Sequence, residues 1–393
     1  MRDTRDISIL YSFPLRVGTP GNGMTAWHQI SGLLRKGVNI HLYTGSCEKP
    51  VLGLTSLKET LNPWGVRLPL RLFPSQACTL HDIIVASELP KLNRKIDIIH
   101  CWPSGSLQTL RTAKKLGIKT VLERPSSHTR FVFKAVAEEC EKLGMKMPKS
   151  HYTAFDHKRL VREEHEFDLA DKLLCPSEWV VKTFLSQGTS EKQIARHQYG
   201  FDREKFYLPS PDNRKNDRTF RMVFVGSGEP RKGLHYALDA WLASEACKKG
   251  VFYICGNYVQ GYREILDSKL THPSIKELGF RNDVCSLMQK CHALVLPSIC
   301  EGSAIVTYEA RACGCVLLVS EATGAVCEHM KDGLIHKPRD VGSLRDHIDL
   351  LALDKNLRAR LQANSLAGVA SLTWTEATKR LVEAYQRCLC GDG

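Results

Sequence analysis

Short apolar runs alternate with amphipathic stretches along the whole chain. Residues 7–11, 38–43, 96–100 and 119–122 are brief, apolar and closed by polar or glycine-rich turns, so they read as buried strands. Between them, residues 24–36 carry Trp27, Ile30, Leu33 and Leu34 at helical spacing, and residues 106–116 read as a second helix. Residues 131–165 are polar, rich in both charge signs, and read as helical; residues 167–177 read as helix end, strand and Pro-Ser stop, with a helix at 178–187. The pattern restarts at Phe220. Strands are expected at 221–225, at 251–256 and at 275–280 with its end at Gly279, and helices at 234–245 and 282–291. Residues 294–323 form strand, tight loop, helix and strand, and helices at 338–353, 355–367 and 372–389 close the chain. Strand–helix alternation throughout predicts an α/β protein built on parallel sheets.

Residues 209–218 (PSPDNRKNDR) are polar and proline-containing, and read as a linker. The expected division is therefore 1–208, a linker at 209–218, a second domain at 219–372 and a final helix at 373–393. A chain of 393 residues suits two domains. Its apolar runs fall short of the ~18 residues that a spanning helix needs. The opening MRDTRDISIL mixes both charge signs and lacks a signal-peptide core, so a cytoplasmic protein is expected. The fifteen cysteines are scattered, several in apolar runs, which fits a reducing compartment. Cys313-x-Cys315 and Cys388-x-Cys390 have no partner pairs at zinc spacing, so no metal is expected.

The net charge of +13 is uneven. Residues 1–210 hold 31 basic against 21 acidic side chains, or +10; the remainder hold 24 against 21, or +3. The basic half suits an anionic acceptor or a phospholipid surface, and equally a plain solvated face. No nucleic-acid-binding signature accompanies it, so nucleic acid is not expected.

Three loops carry candidate chemistry. Gly21-Asn22-Gly23 precedes the first helix, where glycine lets backbone approach a ligand at a helix N-terminus, although such a pair more often marks a turn. Gly226-Ser227-Gly228-Glu229-Pro230-Arg231-Lys232-Gly233 lies between a strand and a helix; Lys232 and Arg231 there suit a diphosphate. Glu301 and Glu309 bracket Gly302, Ser303 and Ala304 at a helix start, where unpaired amides suit a phosphate and a carboxylate two turns deeper suits a vicinal diol. In the first half, His100, Glu123, Arg124 and His128 follow strand ends, where ligands bind in parallel sheets; ordinary loop roles explain each equally well.

The segment Pro297, Ser298, Glu301, Gly302, Glu309, Ala310, Gly314 and Ser320 resembles the donor-binding segment of glycosyltransferase family 4, retaining transferases of GT-B architecture. Gly200-Phe201-Asp202 with Phe206 also resembles that family, as does the loop ending at Lys232-Gly233, although its diphosphate arginine position falls on Ser227. The resemblance implies two Rossmann-like domains with parallel sheets facing across a cleft. The first would bind the acceptor and the second a nucleotide-sugar, with the C-terminal helix crossing back to the first. It implies retaining, metal-independent transfer of a hexose-type sugar without a cofactor, by front-face displacement. Glu301, Lys232 and His128 would be catalytic, His128 as the nearest histidine to the family's position. Ser227, Arg231, Lys232, Glu301, Gly302, Ser303, Ala304, Glu309, Gly21 and Gly23 would surround the donor, and Phe280 and Arg281 its base. Partners would be a nucleotide-sugar and an anionic or membrane-associated acceptor, with a peripheral seat at the membrane as one option. A nucleotide-sugar binder without turnover and a GT-B sugar epimerase are the alternatives; oligomeric state is not legible.

Overall fold

The computed structural model describes residues 7–61, 74–92, 95–208 and 219–390, so the expected linker at 209–218 lies outside the described residues. The chain opens with β1 (Ser8–Val17), α1 (Asn22–Arg35), β2 (Asn39–Cys47), β3 (Ser56–Glu59), α2 (Pro74–Leu92), β4 (Ile98–Cys101), α3 (Leu107–Leu116) and β5 (Lys119–Glu123). Helices α4 (Thr129–Lys142) and α5 (His157–Leu169) precede β6 (Lys172–Cys175), α6 (Glu178–Leu185) and β7 (Ile194–Arg196). Then come β8 (Arg221–Val225), α7 (Leu234–Leu242), β9 (Val251–Cys255), α8 (Tyr262–Leu270), β10 (Ile275–Gly279), α9 (Val284–Gln289), β11 (Ala293–Leu296), α10 (Ile305–Ala312), β12 (Val316–Ser320) and β13 (Gly333–His336). Helices α11 (Val341–Leu353), α12 (Lys355–Ala367) and α13 (Trp374–Cys390) end it.

Two compact units result: Met1–Thr129 with Asp156–Tyr199 and Trp374–Gly393, and Arg130–Phe155 with Gly200–Thr373. The first holds a seven-stranded sheet in the order β3-β2-β1-β4-β5-β6-β7, every pair parallel. Successive side chains of β1 alternate between its faces. Ile9, Tyr11 and Phe13 join the core beneath α1 and α13, with Leu381 and Tyr385. Leu10 joins the core on the other face, with Val85, Leu89, Leu110 and Phe184. The second unit holds a six-stranded sheet in the order β10-β9-β8-β11-β12-β13, also parallel throughout. Strands β8, β9, β11 and β12 are near-continuous apolar runs, as burial on both faces requires, whereas the edge strand β10 is largely exposed.

Residues 130–155 are where the structure departs most from the pattern. The continuous helical reading of 131–165 fails, because α4 ends at Lys142. Gly144 takes a left-handed φ of 63°, Pro148 follows, and α5 starts afresh with Asp156 accepting from the Arg159 amide. This segment also groups with the second unit rather than with 1–208, and so do residues 200–208. Glu139 explains the first: it is buried, its carboxylate takes His235 Nε2 at 3.0 Å, Arg339 Nε at 2.7 Å and the Tyr236 hydroxyl, and all three belong to the second unit. Such a carboxylate, stripped of water, needs these partners. Among the described residues no helix is long and apolar enough to cross a membrane.

Candidate active site

In an open parallel sheet, ligands bind beyond the carboxyl ends of strands where the strand order reverses. In the second unit that point lies between β8 and β11, and the loops after them are 226–233 and 297–304. Gly233 lets the two loops touch. Its φ is 69°, and a Cβ there would lie 2.1 Å from the Pro297 carbonyl oxygen. The Ile299 amide then donates to the Arg231 carbonyl at 2.9 Å. Ser320, the last residue of β12, and Thr323, just past it, donate to the Ser298 and Leu296 carbonyls at 2.5 and 2.7 Å and fix the second loop from behind.

This backbone arrangement brings three charged side chains together. Lys232 Nζ lies 2.6 Å from Glu301 Oε1, and Arg231 Nη1 lies 2.6 Å from Glu301 Oε2. Arg231 Nη1 also donates to the Cys300 carbonyl, and its Nη2 to Glu229 Oε1 at 2.9 Å. Burial pushes the Glu301 carboxyl up, but Arg231 and then Lys232 outweigh it and hold it at about 2. Charge-assisted bonds of this kind are about twice as strong as neutral ones, so the group is preorganised. Glu309 differs. It lies within α10, its carboxylate makes no ion pair or hydrogen bond among the described residues, and burial lifts its carboxyl to about 7 against Lys205. An unengaged carboxylate at this depth suits a hydrogen-bonding diol.

The remaining expected donor residues divide. Ser227 is exposed in the loop after β8, and Gly302 is buried beside Glu301. Helix α10 begins at Ile305 rather than at Ser303. Ser303 Oγ is spent on Tyr308 Oη and the Gly324 carbonyl, and the Ala304 amide on the Thr323 carbonyl, so these two brace the loop instead of offering groups to a ligand. Phe280 is 71% exposed after β10, and Arg281 is paired with Asp283. Glu229, which the sequence reading did not single out, is buried against Arg231; an acid beside Pro-Arg-Lys was its only signal.

In the first unit, Gly21 caps α1 with φ 80° and open space where a Cβ would go. Gly23 is different: a Cβ would meet the Arg16 carbonyl at 2.3 Å and Thr19 Oγ1 at 2.4 Å, so its smallness serves its own loop rather than a ligand. His128 is buried with its ring edge-on to Phe167 and Phe184, at 5.1 and 4.9 Å between centroids, which is a core setting for a residue expected to be catalytic. Arg124 stacks on the same two rings and faces Glu163 at 3.7 Å. Glu123 anchors a buried network instead. Gln29 Nε2, His197 Nε2 and the Tyr199 hydroxyl reach it at 2.9, 3.0 and 3.0 Å, and His100 bonds Tyr385 Oη at 2.6 Å.

The family description "Glycosyltransferase Family 4" matches residues 21–205, and "Glycosyl transferases group 1" matches residues 209–367. Between them they span most of the chain, and the chain belongs to these glycosyltransferases. It is 33% identical over 128 residues to the N,N'-diacetylbacillosaminyl-diphospho-undecaprenol alpha-1,3-N-acetylgalactosaminyltransferase of Campylobacter jejuni, covering 32% of this chain and only 33% of that relative. With the O-antigen chain mannosyltransferase B of Escherichia coli it shares 26% over 174 residues, 42% of this chain and 45% of the relative. The D-inositol 3-phosphate glycosyltransferase of Mycobacterium tuberculosis is 25% identical across 98% of this chain and 84% of its own length. Among solved structures, Anabaena HepE in complex with UDP superposes with a TM-score of 0.67 at 18% identity, covering 97% of this chain and all of that one. Sucrose-phosphate synthase of Thermosynechococcus elongatus gives 0.69 at 15% identity, covering 98% and 99%. The fold is therefore that of the GT-B glycosyltransferases.

Proposed function

We propose that the protein is a retaining, metal-independent glycosyltransferase that moves a hexose-type sugar from a nucleoside-diphosphate sugar to an acceptor hydroxyl. The observation that carries this reading is the convergence of Lys232 and Arg231 on Glu301, each at 2.6 Å, at the switch point of the second sheet. Lys232 and Arg231 would neutralise charge growing on the departing diphosphate, the electrostatic contribution that is often the largest in catalysis. Glu301 would keep acceptor capacity for hydroxyls of the transferred sugar, and Glu309 would take the ribose diol. In front-face displacement the departing phosphate oxygen takes the acceptor proton, so no cofactor or metal enters. Support for a UDP-sugar donor comes from HepE, which has been solved with UDP-glucose. Support for a lipid-linked or phosphorylated acceptor comes from the undecaprenol-diphosphate and inositol-phosphate relatives and from the basic first half of the chain, and it favours a peripheral seat at a membrane.

The test is a panel of UDP-, GDP- and ADP-sugars incubated with the protein without added metal, with release of the nucleoside diphosphate measured. Selective release from one donor, lost in Glu301→Ala, is expected. Tight binding with no release in the presence of candidate acceptors would instead favour a binder without turnover, and a free altered sugar as product would favour an epimerase.

A further inference from the structure

Near the end of the 130–155 segment two short turns fix a pair of aromatic side chains. The His151 amide donates to the Pro148 carbonyl at 2.8 Å, and the Ala154 amide to the His151 carbonyl at 2.9 Å. The rings of His151 and Tyr152 lie 4.5 Å apart. Both reach Glu229. Tyr152 Oη donates to Glu229 Oε1 at 3.1 Å, and His151 Nε2 lies 3.4 Å from Glu229 Oε2. The Thr153 amide approaches His151 Nδ1 at 3.4 Å, which favours the neutral tautomer with its proton on Nε2, facing the carboxylate. The Arg231 guanidinium is 5.5 Å from the centre of the Tyr152 ring, within cation–π range. A continuous relay results: Tyr152 to Glu229, Glu229 to Arg231, Arg231 to Glu301, Glu301 to Lys232.

We propose that Tyr152, seconded by His151, is a positioning residue for the donor diphosphate, holding Glu229 so that Arg231 stays aimed at the incoming phosphates. This rests on the donor-site reading above. The physical argument is one of competition. Arg231 lies between two carboxylates, and an anion can recruit it only if its grip on one of them is loosened without letting the side chain swing away. The phenol donates to the same Oε1 that accepts from Arg231 and draws on its charge, and so weakens that grip. The ring below the guanidinium blocks one escape route. Arg231 Nε is buried and has no hydrogen-bond partner among the described residues. A buried guanidinium N–H left unpaired is costly in the absence of an acceptor, and a phosphate oxygen supplies one. Tyr152 itself is half exposed, so it is placed at the edge of this group and not within a closed core.

The experiment uses the full chain. Whichever of UDP, GDP and ADP the wild type binds is titrated by calorimetry against wild type, Tyr152→Phe, Tyr152→Ala, His151→Gln and Lys232→Ala. Binding of the corresponding nucleoside is followed by ligand-observed NMR, and thermal midpoints are recorded. Tyr152→Phe is expected to weaken the diphosphate by about tenfold while leaving the nucleoside within about twofold and the midpoint unchanged. Tyr152→Ala is expected to weaken it further, because the ring is lost as well. His151→Gln should fall between wild type and Tyr152→Phe. Wild-type diphosphate affinity in Tyr152→Phe, with that affinity lost in Lys232→Ala, overturns the positioning role and leaves the donor site standing. Equal weakening of nucleoside and diphosphate with a lowered midpoint also overturns it, since that marks support of the fold alone. Failure of the wild type to bind any of the three, or full binding by Lys232→Ala, removes the donor-site reading and this inference with it.

Discussion

Lys232 and Glu301 meet at 2.6 Å across 69 residues of chain. Nothing local in the sequence requires this; it follows from two loops leaving neighbouring parallel strands at the same sheet edge. If Lys232 stabilises the leaving diphosphate, Lys232→Ala lowers turnover by about 10²–10³-fold, the usual loss when one preorganised donor is removed. The check is nucleoside-diphosphate release, with circular dichroism to confirm that the fold persists.

The same cluster has a stability signature. The Glu301 carboxyl sits at about 2, below its ordinary value of 4.5, so its ionised form is favoured in the folded state. Its contribution is present above pH 4.5 and is lost as pH falls from there toward 2. Acid titration of unfolding in urea is expected to show this loss in wild type, and Glu301→Gln should remove it while lowering stability at neutral pH, because the buried Arg231 and the half-buried Lys232 lose their shared partner.

Glu309 runs the opposite way. Burial raises it to about 7, so in the folded protein the proton is held between 4.5 and 7, and this group's contribution to stability declines as pH rises through that window. A ribose diol needs the ionised form as acceptor. Donor affinity is therefore expected to rise with pH by up to about tenfold per unit below pH 7 and to level off above it. Calorimetry between pH 6 and 8 measures the slope, and Glu309→Gln should flatten it.

Gly233→Ala should cost more than a glycine substitution usually does. A Cβ at a φ of 69° and 2.1 Å from the Pro297 carbonyl oxygen cannot be absorbed by a side-chain shift, because the clash is with backbone. A loss of about 1–3 kcal/mol in denaturant unfolding is expected from the backbone strain. Donor binding should fall with it, since the two loops separate.

His128→Ala is expected to act through stability. The ring packs between Phe167 and Phe184, so its removal leaves a cavity in the first unit's core, and any loss of turnover should track the folded fraction measured by thermal melting.

Much of this fold was legible because buried parallel strands are short apolar runs, and β1, β2, β8, β9, β11 and β12 all follow that pattern. Helix α2 was not, because polar side chains interrupt its apolar face: His81 bonds Ser12 Oγ at 2.9 Å and Thr60 Oγ1 at 2.8 Å, and Asp82 accepts from the Gln108 and Thr109 amides at the start of α3. These polar residues are buried because they have partners far away in sequence, and no window of sequence shows that. Candidate site residues divide on the same ground. Lys232, Arg231 and Glu301 were legible as loop charges between strand and helix. His128, Ser303 and Gly23 read as ligand-facing from their position alone, yet each is taken up by neighbours that only tertiary structure brings close. Tyr152 and Glu229 carried almost no signal, since the first lies in a segment that looked like part of a long polar helix.

The crossing of the chain between its two units has a consequence for synthesis. Helix α4 leaves the ribosome long before His235 and Arg339, the partners its Glu139 requires. The first sheet, though made early, waits for α13, whose Tyr385 bonds His100 across 285 residues. Neither unit can reach its final packing until these later segments have been made. A fragment ending near residue 200 would then carry Glu139 without its partners together with a core face left uncovered by α13.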